Sequence, residues 1–146
     1  MGKKENKFLS KKQEQLIIAA IQSAEKNTSG EIRVHIEFES STDHFQKALD
    51  VFHQLEMHQT KERNAVLFHL APNHHHFTII GDIGIDQVTP TDFWENIKNE
   101  VIIHFKKDQF VEGLCKGIEM TGIALKNYFP YQNDDINELP DEISYS

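Results

Sequence analysis

The segment EIRVHIEF, residues 31–38, alternates without a break: Ile32, Val34, Ile36 and Phe38 are apolar, and Glu31, Arg33, His35 and Glu37 are polar or charged. A period of two belongs to a strand with one buried face. Helical periods flank it on both sides. Before it, Leu16, Ile17, Ala20, Ile21 and Ala24 recur at helical spacing behind a capping pair, Ser10 with Gln13, and Gly30 is placed to end the helix. After it, SSTD opens a second helix whose inner stripe is Phe45, Ala48, Leu49, Phe52 and Leu55. AVLFHL, 65–70, then reads as a central strand, and FTIIG, 77–81, returns as its hairpin partner across the turn APNHHH. Thr89-Pro90-Thr91-Asp92 starts a third helix lined by Trp94, Ile97, Val101 and Phe105. Val111, Leu114, Cys115, Ile118 and Leu125 line a fourth, which ends before Pro130.

A strand, a helix and a second strand make a parallel pair with a right-handed crossover, and the hairpin adds an antiparallel third. The expected fold is therefore α/β: a three-layer α/β/α sandwich with a small mixed central sheet and helices on both faces. At 146 residues the chain fits one such domain. It divides into a flexible N-terminus (1–8), the compact domain (9–130) and an acidic tail (131–146). The tail is either disordered or an arm docked by Ile136, Leu139 and Ile143.

The formal net charge is −8, which repels phosphate backbones and argues against nucleic acid as a partner. Lys3, Lys4, Lys7, Lys11 and Lys12 at the N-terminus read as a solubilising run. The single cysteine, Cys115, leaves no intramolecular disulfide and no thiolate zinc cluster; it reads as a small buried hydrophobe. No apolar run approaches the roughly 20 residues that span a bilayer, and none resembles a leader. A cytoplasmic monomer with no direct membrane insertion is the expectation.

The topology gathers particular residues. The start of the first strand carries Gly30 and Glu31, the start of the second carries Glu62, Arg63 and Asn64, and the finish of the third carries Asp82 and Asp86 in GDIGID. All three groups fall at one edge of the sheet, and the histidines of the hairpin turn fall at the other. Glu31, Asn64, Asp82 and Asp86 are hard oxygen donors of the kind that hold a divalent cation. The competing reading is structural, with Asp82 capping a turn and Glu31 paired with Arg63. GDIGID lacks the Lys-Ser/Thr of a phosphate loop and the third glycine of a dinucleotide fingerprint. His74 and His76 could share a zinc ion, or the triplet of His74 to His76 is a hydrophilic turn. His53, His69 and His104 read as surface or satisfied side chains. No Gly-x-Ser-x-Gly or DxDx(T/V) nucleophile motif is present.

LSKKQEQLIIAAIQSAEKNTSGEIRVHI, RNAVLFHLAP, FTIIGDIGID and FKKDQFVEGL follow one another as in the TPM domain family. That family is named for a thylakoid lumen protein, a photosystem II repair protein and a nematode acetylcholine-receptor modulator. The chain resembles it over roughly residues 8–129, most specifically in TSGEIRV and IGDIGI. The resemblance implies an α/β/α sandwich and a divalent-cation site, often calcium, at the edge holding Glu31, Asn64 and Asp82. Acid phosphatase activity is attributed to plant members, while others look like interaction modules. Two departures stand out. Asn64-Ala65 replaces the usual Asn-Gly, and the signal peptide and membrane helix of many relatives are missing from this sequence. The expectation is a module that binds a divalent cation, calcium rather than magnesium, through Asp82 with Glu31, Asn64 and Asp86. It would act on a protein partner, with Arg63 free to hold an anionic group. The alternative is a metal-assisted acid phosphatase.

Overall fold

The computed structural model describes residues 8–39, 41–132 and 137–146. The expectations for residues 1–7 and for Asp134, Asp135 and Ile136 lie outside the described residues. The element order is α1 (Lys11–Glu25), β1 (Glu31–Ile36), α2 (His44–Gln54), β2 (Ala65–Ala71), β3 (His76–Gly81), α3 (Ile83–Asp86), α4 (Glu95–Phe105), α5 (Phe110–Tyr128) and β4 (Ser144–Tyr145). The sheet runs β3-β2-β1-β4, with β1 parallel to β2 and to β4, and β3 antiparallel to β2. The mixed sheet with helices is the expected α/β fold.

The local signals act largely as read. Ser10 Oγ accepts the Gln13 amide, and Gln13 Oε1 accepts the Ser10 amide, which closes the capping box at α1. Asp43 caps α2 by accepting the Gln46 amide. Two boundaries differ. The chain turns through residues 91–94 before α4 starts at Glu95, later than Pro90 indicated. Helix α1 stops at Glu25 without Gly30, whose φ is not positive. Gly30 is needed for space instead: a Cβ there would sit 2.8 Å from Leu125 Cδ1.

The two faces of the sheet divide the core. Ile32, Val34, Ile36, Val66, Phe68 and Leu70 meet Ile17 and Ile21 of α1, Ile97 and Val101 of α4, and Leu114, Ile118 and Leu125 of α5. On the opposite face Ala65, Leu67 and Ile80 meet Ala48, Val51 and Phe52 of α2, with Met57.

The alternation in β1 misleads at one point. It implies a half-buried strand, yet all six residues of β1 are buried. The segment 137–146 covers the polar face. Glu31 accepts the amides of Glu138 and Leu139 at 2.9 and 2.5 Å. The Arg33 guanidinium faces Glu142 at 3.8 Å. His35 meets Ser144 and Ser146, and Glu37 accepts from Ser146. Every second residue of the strand thus has a partner on the arm. Of the two readings of the tail, these residues adopt the docked one, with Ile143 in the core and Leu139 against the α2 cluster. The arm hides the polar groups of a strand whose other face is already buried, and it supplies their hydrogen bonds as it does so.

Candidate functional site

Backbone bonds confirm that the two forward strands and the one reverse strand meet at a common rim. The Glu31 amide donates to Asn64 O at 3.4 Å, and the Asp82 amide donates to Ala65 O at 3.0 Å. The Gly84 amide donates to Arg63 O at 2.9 Å, which folds the short α3 back onto the entry to β2. This approach admits no side chain: a Cβ on Gly84 would lie within 2.5 Å of the carbonyl oxygens of Glu62 and Arg63.

Side chains divide the rim into two parts. On the β3 side, Asp82 takes a two-pronged bond from Arg63, with Nε to Oδ2 at 2.7 Å and Nη2 to Oδ1 at 2.9 Å. Such fork-to-carboxylate pairing is charge-assisted and directional, and the hydrogen bonds to Asp82 push the Arg63 pKa up. Arg63 holds a left-handed backbone, φ 52, uncommon for a residue other than glycine. Asp82 Oδ1 also accepts the Ile83 amide at 2.8 Å, so Asp82 does cap the following turn. The arginine partner proposed for Glu31 belongs to Asp82 instead. Asp86 stays exposed overall, and partial desolvation of its carboxyl, with the charge of Asp82, pushes its pKa up.

On the β1 side, Glu31 borders a cleft of about 210 Å3 together with Glu25, Thr28, Ser29, Tyr131 and Asn137. Burial pushes the Glu31 carboxyl up to about 7 against the pull of the two arm amides. Glu25 accepts the Ile32 amide at 2.8 Å, and burial, with a hydrogen bond to Asp141, pushes it up to about 9. Between the two parts lies Asn64, 1 % exposed. Its Nδ2 donates to Ser29 Oγ at 3.2 Å, and Ser29 Oγ donates to Glu62 Oε2 at 2.6 Å. Its Oδ1 is buried and has no hydrogen-bond partner. A buried acceptor left in this state costs about 1–3 kcal/mol and calls for an account.

The raised carboxyls give a pH dependence. A carboxyl whose folded pKa lies above its unfolded value favours folding at low pH, and that contribution disappears as pH rises through the folded value. In chelator-treated buffer, stability should therefore fall between about pH 5 and 9 as Glu31, near 7, and Glu25, near 9, ionise. Urea midpoints across that range would measure it. Glu31→Gln should flatten the fall around pH 7, and an unchanged profile in that variant would remove Glu31 as its source.

A second cluster lies on the same face of β1 and β2, at the far end from the rim. Among the described residues, one group of His, Cys, Asp and Glu side chains draws tightly enough together to hold an ion: His35, Glu37 and His69, with ligand atoms all within 4.8 Å of one another. Glu31, Asp82 and Asp86 do not form such a group. His35 and His69 are in register across the parallel pair, and their rings stack with centroids 5.5 Å apart. Burial pushes the His35 pKa down. Burial also opposes ionisation of Glu37, but hydrogen bonds from His35, His69 and Ser146 outweigh it and hold the carboxyl well below the usual range. The signal for this cluster is in the sequence. His35 and Glu37 stand two apart on a strand, so they share a face, and the parallel register adds His69. His74 to His76 are exposed, and the His76 ring stacks on His44 with centroids 3.9 Å apart. The Cys115 thiol is half-buried and pushed up by burial. No helix among the described residues is long and apolar enough to cross a membrane.

The TPM domain family model matches residues 3–123. The solved structure of the BA42 protein from the psychrophilic bacterium Bizionia argentinensis is 49% identical, with all of both chains covered and a TM-score of 0.91. The N-terminal domain of a P. gingivalis protein aligns with a TM-score of 0.66 at 19% identity, covering 84% of this chain and 80% of that one. The N-terminal domain of the cg2496 protein from Corynebacterium glutamicum gives 0.63 at 13%, covering 93% and 80%; these two show the fold alone. No curated protein matches the chain.

Proposed function

We propose that this chain, which belongs to the TPM domain family, is a divalent-cation-binding module that acts by protein interaction, with the cation at the sheet rim. The observation that carries the reading is Asn64 Oδ1, a buried acceptor with no partner between the two acidic parts of the rim. A hard cation satisfies such an oxygen, and carboxylates and backbone carbonyls complete its preferred shell. Asp82 is the principal carboxylate; Asp86 and Glu31 do not share a ligand cluster with it in this arrangement and contribute only by closing in on the cation, and calcium suits an irregular set of oxygens better than magnesium does. The cation competes with Arg63 for Asp82. Arg63 is exposed, so it can swing to solvent, where its planar fork suits a carboxylate or phosphate on a partner. Ile83 and Val88, each 49% exposed, place apolar surface beside the same rim.

The phosphatase alternative has less support. Burial makes the Cys115 thiol a poorer nucleophile.

Titration of the full chain with calcium, and separately with magnesium, followed by backbone amide NMR, tests the reading. Saturable shifts at Ser29–Glu31, Asn64 and Asp82–Asp86 are expected, with calcium saturating first. No saturable change by about millimolar cation, the weak end of calcium modules, would overturn it, as would shifts confined to β1 and β2 around His35 and His69.

A further inference from the structure

We propose that His35, Glu37 and His69 form a second, chemically distinct site, for a zinc-class cation, that clasps the C-terminal arm to β1. The spacing is the first argument. His35 Nε2 and His69 Nε2 each stand 3.4 Å from Glu37 Oε1. That is long for a charge-assisted hydrogen bond, which runs about 2.7–2.9 Å. It equals the edge of a tetrahedron around zinc, about 3.3–3.4 Å when metal–ligand distances are about 2.0–2.1 Å.

The second argument is the donor set. Ser144 Oγ stands 2.7 Å from His35 Nδ1 and accepts its hydrogen in the tautomer that leaves Nε2 as a lone pair. Ser146 Oγ donates to Glu37 Oε2 at 2.9 Å, so Oε1 is the oxygen that faces the two imidazoles. Two imidazoles and one carboxylate are the donors a borderline divalent metal takes, in contrast to the all-oxygen rim.

The surroundings fit the role. Glu37 is fully buried, and His35 and His69 are 3% and 1% exposed. Ser144 Oγ, 2.7 Å from His35 Nδ1, is placed to hold the ring in its ligating tautomer once an ion binds, as the outer partners of metal histidines do. Ser146 Oγ, 2.7 Å from His35 Nε2 and 2.9 Å from Glu37 Oε2, lies inside the tetrahedral edge and supports the ligands by hydrogen bonding, which leaves the fourth position open as in three-ligand zinc sites. The cation would join β1 to β2 and fix the ligands that Ser144 and Ser146 hold, securing an arm whose two-residue strand makes few backbone bonds of its own.

Zinc, and cobalt as its coloured substitute, would be titrated into the chelator-treated full chain. The proposal expects one equivalent to bind, the intense visible bands of tetrahedral cobalt, and large shifts at Nε2 of His35 and His69 in nitrogen NMR of the imidazoles. His69→Gln should weaken zinc binding by at least about 100-fold, the upper range for loss of a mere supporting residue. His74→Ala with His76→Ala should leave binding intact. Binding lost in that surface double variant but kept in His69→Gln would overturn the proposal. Unshifted imidazole nitrogens in the wild type would overturn it too, and that readout stands even where His69→Gln fails to fold.

Discussion

Glu37→Ala is expected to destabilise the metal-free protein by about 3–5 kcal/mol, the range for removing one member of a buried charged network. Glu37 is fully buried and accepts from Ser146 at 2.9 Å, while His35 and His69 face its other oxygen. Truncation leaves these groups facing a void without the acceptor they share. It also frees Ser146, whose backbone joins the arm to the end of β1 through the Ser146 amide to Ile36 O at 3.1 Å. The loss is therefore expected at both the sheet and the arm. Glu37→Gln keeps the volume and one acceptor, and should cost about 1–2 kcal/mol. Urea unfolding of both variants measures the difference. A cost below about 1 kcal/mol for Glu37→Ala would mean that the network contributes little to folding.

Gly84→Ala is the second large effect, and it acts at the rim. The new methyl would fall within 2.5 Å of two backbone carbonyl oxygens, Glu62 O and Arg63 O. Flexible side chains can yield to such a contact, but these oxygens belong to the chain entering β2, so α3 has to move away. The bond from the Gly84 amide to Arg63 O goes with it. The cost should be about 3 kcal/mol, the upper part of the range for overpacking. Amide shifts should spread over residues 62–64 and 82–86, and calcium binding should weaken because Asp82 moves relative to Asn64. A variant with normal stability and unshifted residues 62–64 would show that the close approach is not required.

Much of the architecture is legible in the sequence because periodicity is a local property. The apolar stripes of α1, α2 and α5 and the runs at β2 and β3 appear without knowledge of any partner. Strand β4 does not, since two residues carry no period. Its absence from the reading misplaced the polar face of β1: Arg33 and His35 look like solvent-facing residues until the arm is known to lie across them. The histidine–glutamate cluster went unread for the same reason. His35 and Glu37 share a strand face, but the alternation alone marks that face as solvent-facing.

The rim was legible as a meeting of chain ends, because strand direction alone decides it. Its internal pairing was not. Which acid takes Arg63 depends on side-chain reach and on the left-handed turn at that residue, and the answer is Asp82 rather than Glu31. The unsatisfied Oδ1 of Asn64 was equally invisible, since an asparagine before a strand is ordinarily solvated or capped.

The claim that a cation belongs at this rim is tested most directly at the Asn64 side chain. Its two Nδ2 protons can be followed individually by NMR during a calcium titration of the full chain. The account predicts that they shift with the same saturation curve as the Asp82 backbone amide, because Oδ1 of the same amide group gains a ligand. Asn64 side-chain resonances that stay fixed while the protein is saturated with calcium would contradict it.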